Sequence, residues 1–168
     1  MTSDEYFMAE ALRQARRAWR AGEVPIGAVV VRGGEVIARA FNQVETLTDG
    51  TAHAEMLAIS QAQTAMADWR LADCDLYVTK EPCVMCAGAL VLCRIRRLII
   101  GLPDPKGGAA GGCWNLVQTD NLNHRCEVIT GVREDECRQV LKEFFRQARA
   151  GLIPKAGARR DPAGMGDN

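Results

Sequence analysis

The 168-residue chain carries 21 Lys and Arg against 21 Asp and Glu, so its formal net charge is zero and names no partner. Hydrophobic residues make up 48% and charged residues 25%, ordinary proportions for one globular domain with a real core. The longest apolar run, Cys83 to Cys93, is far short of a membrane span, so no membrane partner is expected.

Charge distribution says more than the total. Seven basic residues lie between Arg138 and Arg160 (Arg138, Lys142, Arg146, Arg149, Lys155, Arg159, Arg160) against one acid, Glu143. Arg13, Arg16, Arg17 and Arg20 form a second group, and Arg94, Arg96 and Arg97 a third. Such clusters suit a phosphate-binding surface and equally suit solvated helix faces. The first ten residues hold Asp4, Glu5 and Glu10 and no apolar export segment. Seven cysteines, an odd number, then point to a reducing cytoplasm. Cys74, Cys93, Cys113, Cys126 and Cys137 read most simply as small buried hydrophobes.

Residues 4–21 have helical periodicity in Phe7, Met8, Ala11, Leu12, Ala15, Ala18 and Trp19, with Ser3 as a cap and Gly22 as a stop. Strands Ala28 to Arg32 and Glu35 to Ala40 are joined by Gly33-Gly34, a two-residue hairpin. Phe41 to Gly50 is a polar loop. Asn42 opens it, just past a strand end, and is either a turn residue or a substrate contact. Residues 52–67 form a helix capped near Thr51, with Met56, Ile59 and Ala62 on its core face. Asp75 to Lys80 is a buried strand that feeds into Pro82. Residues 83–93 form a helix apolar on nearly every face, hence central, and Arg97 to Gly101 is the next strand. Residues 102–115 make a Gly- and Pro-rich loop of the kind that more often carries function than not. His124 reads as a surface-loop histidine. A last strand, Glu127 to Thr130, precedes a helix over 133–149. The expected organisation is one domain over 1–151 and a disordered tail over 152–168.

Two stretches carry chemistry: His53-Ala54-Glu55 and Pro82-Cys83-Val84-Met85-Cys86. Cys83 and Cys86, three residues apart, share one helical face, and Pro82 suits a first turn. The positive end of a helix favours thiolate over thiol. His53, Cys83 and Cys86 thus offer three metal ligands, and three plus water is the catalytic zinc arrangement. Zinc lowers the pKa of a bound water from about 15.7 to roughly 7, and Glu55 is placed to take that proton. The competing reading is a structural zinc knuckle or a buried His with two buried Cys. Glu55 has no part in it, and no fourth ligand is near. Cys93 lies about 10 Å further along the same helix at 1.5 Å per residue.

The alternation of elements predicts an α/β fold: a three-layer α/β/α sandwich around a central mixed sheet, with the site at helix N-termini beside the carboxyl ends of strands.

At these residues the chain resembles the cytidine deaminase-like zinc deaminases, whose H-x-E…P-C-x-x-C pattern it carries. Within them it is similar to the bacterial tRNA-specific adenosine deaminase family. The likeness takes in Glu23 to Val29, Asn42, Thr51 to Glu55, Leu76 to Thr79, Glu81 to Ala89, Asp104 to Gly111, Asn123 to Arg125 and Phe144 to Arg146. It implies hydrolytic conversion of adenosine to inosine at the wobble position of the tRNA anticodon by a homodimer. It also implies one Zn2+ per subunit on His53, Cys83 and Cys86. Zinc-activated hydroxide would attack C6 of adenine, with Glu55 shuttling the proton. Substrate contact is implied for Asn42, the Ala54 backbone and Ile26, and RNA contact for Asp104, Lys106, Phe145 and Arg146, with the anticodon stem-loop as partner. The chain departs from the pattern at Lys80, where the family usually has Leu, and at Leu92-Cys93 and Gly112-Cys113. These departures bear on substrate identity more than on reaction type. The alternatives are a small-molecule nucleobase or nucleoside deaminase (cytosine or guanine type) on the same zinc core, and a non-catalytic zinc-dependent RNA binder.

Overall fold

A five-stranded mixed sheet divides two layers of helices in the computed structural model, which describes residues 1–153 and 156. The chain begins with α1 (Ser3–Arg20), then the hairpin β1 (Gly27–Arg32) and β2 (Glu35–Phe41). A short helix, α2 (Val44–Leu47), precedes α3 (Ala54–Met66) and β3 (Cys74–Lys80). The second half runs α4 (Val84–Leu92), β4 (Arg97–Leu102), β5 (Glu127–Thr130) and α5 (Glu134–Arg149). Strand order is β2-β1-β3-β4-β5. β1 is antiparallel to both β2 and β3, whereas β3, β4 and β5 run parallel.

Period-two alternation along the strands sorts the core onto two faces. Val29, Val31, Tyr77 and Ile99 point to one side and pack with Phe7, Met8 and Leu12 of α1 and Cys137 of α5. Ala28, Val30, Leu76, Val78, Leu98 and Ile100 point to the other and pack with Ala58 and Ile59 of α3 and Leu90 of α4. This is the expected α/β/α sandwich. β3 lies between an antiparallel and a parallel neighbour, and Cys74 to Thr79 are all buried. A strand covered on both faces reads as a continuous apolar run. Gly33 and Gly34 turn the hairpin with φ of +56° and +84°, the positive pair a tight two-residue turn requires.

Several local expectations are revised. Thr2, not Ser3, caps α1, and it does so in a full capping box with Glu5. The segment after β2 is not wholly a loop, since α2 lies within it. Thr51 does not cap α3; its hydroxyl bonds Asp49, and His53 takes the cap position. α4 starts at Val84, which makes Cys83 its cap. That helix is not central either. It lies in the outer layer, with Val84 51% and Leu92 73% exposed. Its uniformly apolar sequence hid the orientation, because no polar stripe marks the outer side. Met56 is half-buried, and Ala54, Ala58, Ile59 and Ala62 form the buried face of α3. Cys113 is exposed, unlike the other four cysteines expected to be buried. The expected tail over 152–168 lies largely outside the described residues.

Opposite the chemical end, an ion cluster ties the chain's start to the sheet. The Tyr77 hydroxyl donates to Asp4 at 2.7 Å, and Arg97 bridges Asp4 and Asp75 at 3.0 Å each. Burial pushes the Asp4 carboxyl up, but bonds from Tyr77 and Arg97 outweigh it and leave Asp4 below its ordinary range. A depressed carboxyl stabilises the fold above its unfolded pKa and loses that contribution as pH falls through its folded value. Asp4→Asn should therefore cost about 1–2 kcal/mol at neutral pH. The gap to the parent should narrow between about pH 5 and pH 3, read by urea unfolding.

Candidate active site

The site is built where two helices begin. β2 ends at Phe41, and the segment after it brings His53 to the N-cap of α3. β3 ends at Lys80, and Glu81-Pro82 carries the chain to Cys83 at the N-cap of α4. Cys86 follows in the first turn, fully buried. His53 Nδ1 lies 3.7 Å from Cys83 Sγ and 3.6 Å from Cys86 Sγ, and the two sulfurs are 3.8 Å apart. Zinc bonds of about 2.3 Å to sulfur and about 2.0 Å to nitrogen give tetrahedral edges of about 3.5–3.8 Å. One imidazole and two thiols at these separations fit zinc in size and in ligand softness.

The two thiols are not equivalent. Cys83 is lowered to about 5, first by its hydrogen bond with the Cys86 thiol, with help from the amides of Cys86 and Met85 and from His53. Cys86 is pushed strongly upward by that same bond, by burial and by the Glu55 carboxylate. Of the two thiols, Cys83 is therefore the more readily ionised. Glu55 is buried, and burial raises its carboxyl above the usual range, more than the helix amide and His53 lower it. A carboxyl so placed is suited to carrying a proton near neutral pH.

Glu55, His53 and Ala54 line a cavity of about 240 Å³ whose other walls include Val24, Ile26, Asn42 and Val44. Three of the residues expected to meet substrate, Ile26, Asn42 and Ala54, are thus together beside the ligand triangle. Asn42 is buried and donates through Nδ2 to the Val24 carbonyl at 3.4 Å.

The other four expected contacts lie outside this cavity. Asp104 and Lys106 are on the loop after β4, which is joined to the site by Ala109 N–H donating to the Pro82 carbonyl at 2.8 Å. Lys106 is exposed, but Asp104 is engaged by Lys80 at 2.5 Å. Phe145 and Arg146 are on α5. That helix runs alongside α1 in the same direction, from Arg133 at the Glu5 carbonyl to Phe144 against Trp19 at 5.8 Å. Since α1 leads directly into Val24 and Ile26, Phe145 and Arg146 stand at the cavity end of the molecule. Phe145 is 43% exposed, and Arg146 pairs with Glu143. His124 is more than a surface histidine, being half-buried with Nε2 2.6 Å from the Ile95 carbonyl.

Two buried acids organise the surroundings, and sequence reasoning did not single them out. Glu81 accepts from the amides of Asp104 at 2.7 Å, Ala110 at 2.9 Å and Gly112 at 2.8 Å, and so holds the whole 104–112 loop. Gly108 lies so close that an added Cβ would meet the Glu81 carboxylate at 2.3 Å. Glu23 accepts from Thr46 at 2.6 Å and Glu45 at 3.3 Å, fixing α2 over the cavity. The available signal was an acid at the end of an apolar strand, directly before Pro82-Cys83.

The three-layer fold, with a His–Cys–Cys triangle at two helix starts and a buried glutamate beside it, defines the cytidine deaminase-like class. The MafB19-like deaminase model matches residues 1–149, and the chain belongs to that family. The chain is 52% identical to a tRNA-specific adenosine deaminase of Bacillus subtilis, covering 89% of this chain and 92% of that protein. The counterpart in Aquifex aeolicus is 46% identical, covering 89% and 98%. A solved structure from work on A-to-I editing by tRNA:A34 deaminases at the wobble position superposes with a TM-score of 0.78 and 46% identity, over 81% of this chain and 99% of that one. A guanine deaminase from Nitrosomonas europaea shares the fold at a TM-score of 0.73 and 27% identity, over 83% of each.

In chelator-treated protein, iodoacetamide should label Cys83 with a rate that rises through about pH 5 and then levels, while Cys86 stays unlabelled at neutral pH. Peptide mass mapping reads both. Glu81→Gln should speed amide hydrogen exchange at Asp104, Ala110 and Gly112 by about 10-fold or more, since bonds to a charged acceptor contribute about 1.5–3 kcal/mol.

Proposed function

We propose that this chain is a hydrolytic tRNA adenosine deaminase that converts adenosine to inosine at the anticodon wobble position. The observation that carries this reading is the His53–Cys83–Cys86 triangle, whose His53 lines one cavity of about 240 Å³ together with the buried Glu55. That space suits a single planar base. The likeness to tRNA-specific adenosine deaminases over nine-tenths of the chain supports the choice of substrate.

His53, Cys83 and Cys86 would hold one zinc ion per subunit, and zinc bound there supplies a Lewis acid that brings water's pKa to about 7. Glu55 takes a proton from the attacking water and places it on N1 of adenine as C6 is attacked. It then takes the proton of the new C6 hydroxyl and passes it to the exocyclic amino group, the C6–N bond breaks, and adenosine and water become inosine and ammonia. Asn42, Ile26 and the Ala54 backbone orient the base and exclude bulk water. An anticodon loop presents bases already unstacked, which lowers the cost of entry. Lys106, Phe145 and Arg146, with Asp104, are the residues we assign to the RNA flanking that base. Arg138, Lys142, Arg146 and Arg149 share an open face of α5 with Asp135 and Glu143, and the excess of basic groups suits phosphates.

The catalytic domain is residues 1–151. The exposed apolar residues Val84 and Leu92 of α4, and Trp114 on the loop after β4, 54% exposed, support a homodimer. Seven free cysteines and a tRNA substrate support a cytoplasmic setting. Among the described residues, no helix is long and apolar enough to cross a membrane.

The zinc-loaded protein should form inosine in an anticodon stem-loop with adenosine at the wobble position, detected by mass spectrometry. Glu55→Ala should lower the rate by at least about 10²–10⁴-fold while metal content stays the same. Turnover of free guanine or cytosine with none of the stem-loop would instead support a small-molecule deaminase.

A further inference from the structure

Among the described residues, the hydrogen bonds that tie the 104–112 loop to the body of the fold all end on Lys80, Glu81 and Pro82, directly before Cys83. Within itself the loop closes a compact turn. Asp104 Oδ1 accepts from the amides of Lys106 at 3.0 Å and Gly107 at 3.2 Å, and the Asp104 carbonyl accepts from Gly108 at 2.9 Å. Asp104 and Lys106 are therefore carried by one unit, and Glu81 takes most of the bonds that hold it down. Oε2 of Glu81 accepts from the Asp104 amide at 2.7 Å, and Oε1 accepts from Ala110 at 2.9 Å and Gly112 at 2.8 Å. Glu81 is only 5% exposed. An added Cβ at Gly108 or at Gly112 would collide with its carboxylate, so the loop is wrapped tightly around that group. The Glu81 backbone is held separately, its amide donating to the Leu102 carbonyl at 2.9 Å. A change confined to the side chain thus leaves Pro82-Cys83 in place.

We infer that Glu81 is a positioning residue for the RNA substrate: its carboxylate sets where Asp104 and Lys106 stand, and so governs how tightly the anticodon loop is held and not how fast the held base reacts. This rests on the tRNA reading of the site. Glu81 lies outside the cavity that Glu55 lines, and its oxygens are given to loop amides. Three N–H donors shared between both oxygens need an acceptor on each side, which a carboxylate provides and a carboxamide does not. In Glu81→Gln the NH2 group must face at least one loop amide, donor against donor, and the turn that carries Asp104 and Lys106 shifts. Gly108→Ala reaches the same result from the other side, because its methyl displaces a carboxylate that keeps its charge. Charge and position act here with opposite sign. Removing a negative charge beside the RNA would by itself strengthen the hold on a polyanion. Misplacing Asp104 and Lys106 weakens it.

The test compares the parent, Glu81→Gln and Gly108→Ala, all zinc-loaded, with metal content measured on each. Binding of a fluorescent anticodon stem-loop is read by anisotropy, and inosine formation gives KM and kcat. Both variants should bind the stem-loop about 10-fold more weakly, with KM rising to match, kcat within about twofold of the parent and zinc content unchanged. Glu81→Gln that binds as tightly as the parent, or tighter, overturns the inference, because charge then outweighs position. So does a loss that falls on kcat or on zinc content and not on KM, which makes Glu81 a support of the metal site alone. Where Glu81→Gln does not fold, Gly108→Ala carries the same comparison with the carboxylate intact, and unchanged binding by it overturns the inference equally. Binding without inosine in the parent refutes the adenosine reaction but leaves the binding series to decide the role of Glu81. No binding by the parent overturns both.

Discussion

Two helices starting at one point is the constraint on which the site depends. His53 and Cys83 are both N-cap residues, so each side chain leaves its backbone where unpaired amides concentrate positive potential. At Cys83 the bond with the Cys86 thiol comes first, and the amides of Cys86 and Met85 at the helix start add to it, so the thiol ionises more readily. The sheet sets the distance between the helix starts, because α3 and α4 pack on the same face through Ala58, Ile59 and Leu90. Rigid layers therefore place three ligand atoms within 4.8 Å of one another although thirty residues separate His53 from Cys83. Sites carried on such elements hold geometry better than sites carried on loops.

The loops that complete the site are held by buried carboxylates. Burying an ionised acid is costly unless hydrogen bonds replace the lost water. Glu81 meets that requirement with three amides of the 104–112 loop, and Glu23 with two amides of α2. Each acid acts as a hub, and each satisfies backbone donors that an irregular segment would otherwise leave unpaired. Glu55 differs. Its carboxyl is buried beside the thiols and lines the cavity, so its proton affinity is raised. Three glutamates buried within one site thus divide into two that shape loops and one whose proton is available for chemistry.

The end of β3 concentrates these roles in four consecutive positions. Lys80 pairs with Asp104, Glu81 holds the loop, Pro82 receives the Ala109 amide, and Cys83 faces His53. The parallel register of β3 with β4 brings Lys80 opposite Leu102, directly before the loop both residues hold. A backbone shift in this strand end is therefore felt at the ligand triangle and at the surface together.

By itself, the sequence determined the order of the strands and the four longer helices, the α/β/α class and the residues of the His–Cys–Cys triangle. Apolar periodicity, Gly33-Gly34 and the paired H-x-E and P-C-x-x-C patterns are local signals that survive without a structure. Placing Ile26, Asn42 and Ala54 near the His–Cys–Cys triangle rested on family resemblance, and the fold brings all three to one cavity beside His53. Local pattern failed where burial is decided by distant partners. The apolar face of α4 left open to solvent, the exposure of Cys113, and the bond from His124 to Ile95 depend on which layer covers which. Only the tertiary structure could decide that Lys80 pairs with Asp104 and that Glu81 anchors a loop more than twenty residues away. Charge pairing and amide capture act through space, and neither leaves a periodicity in the chain.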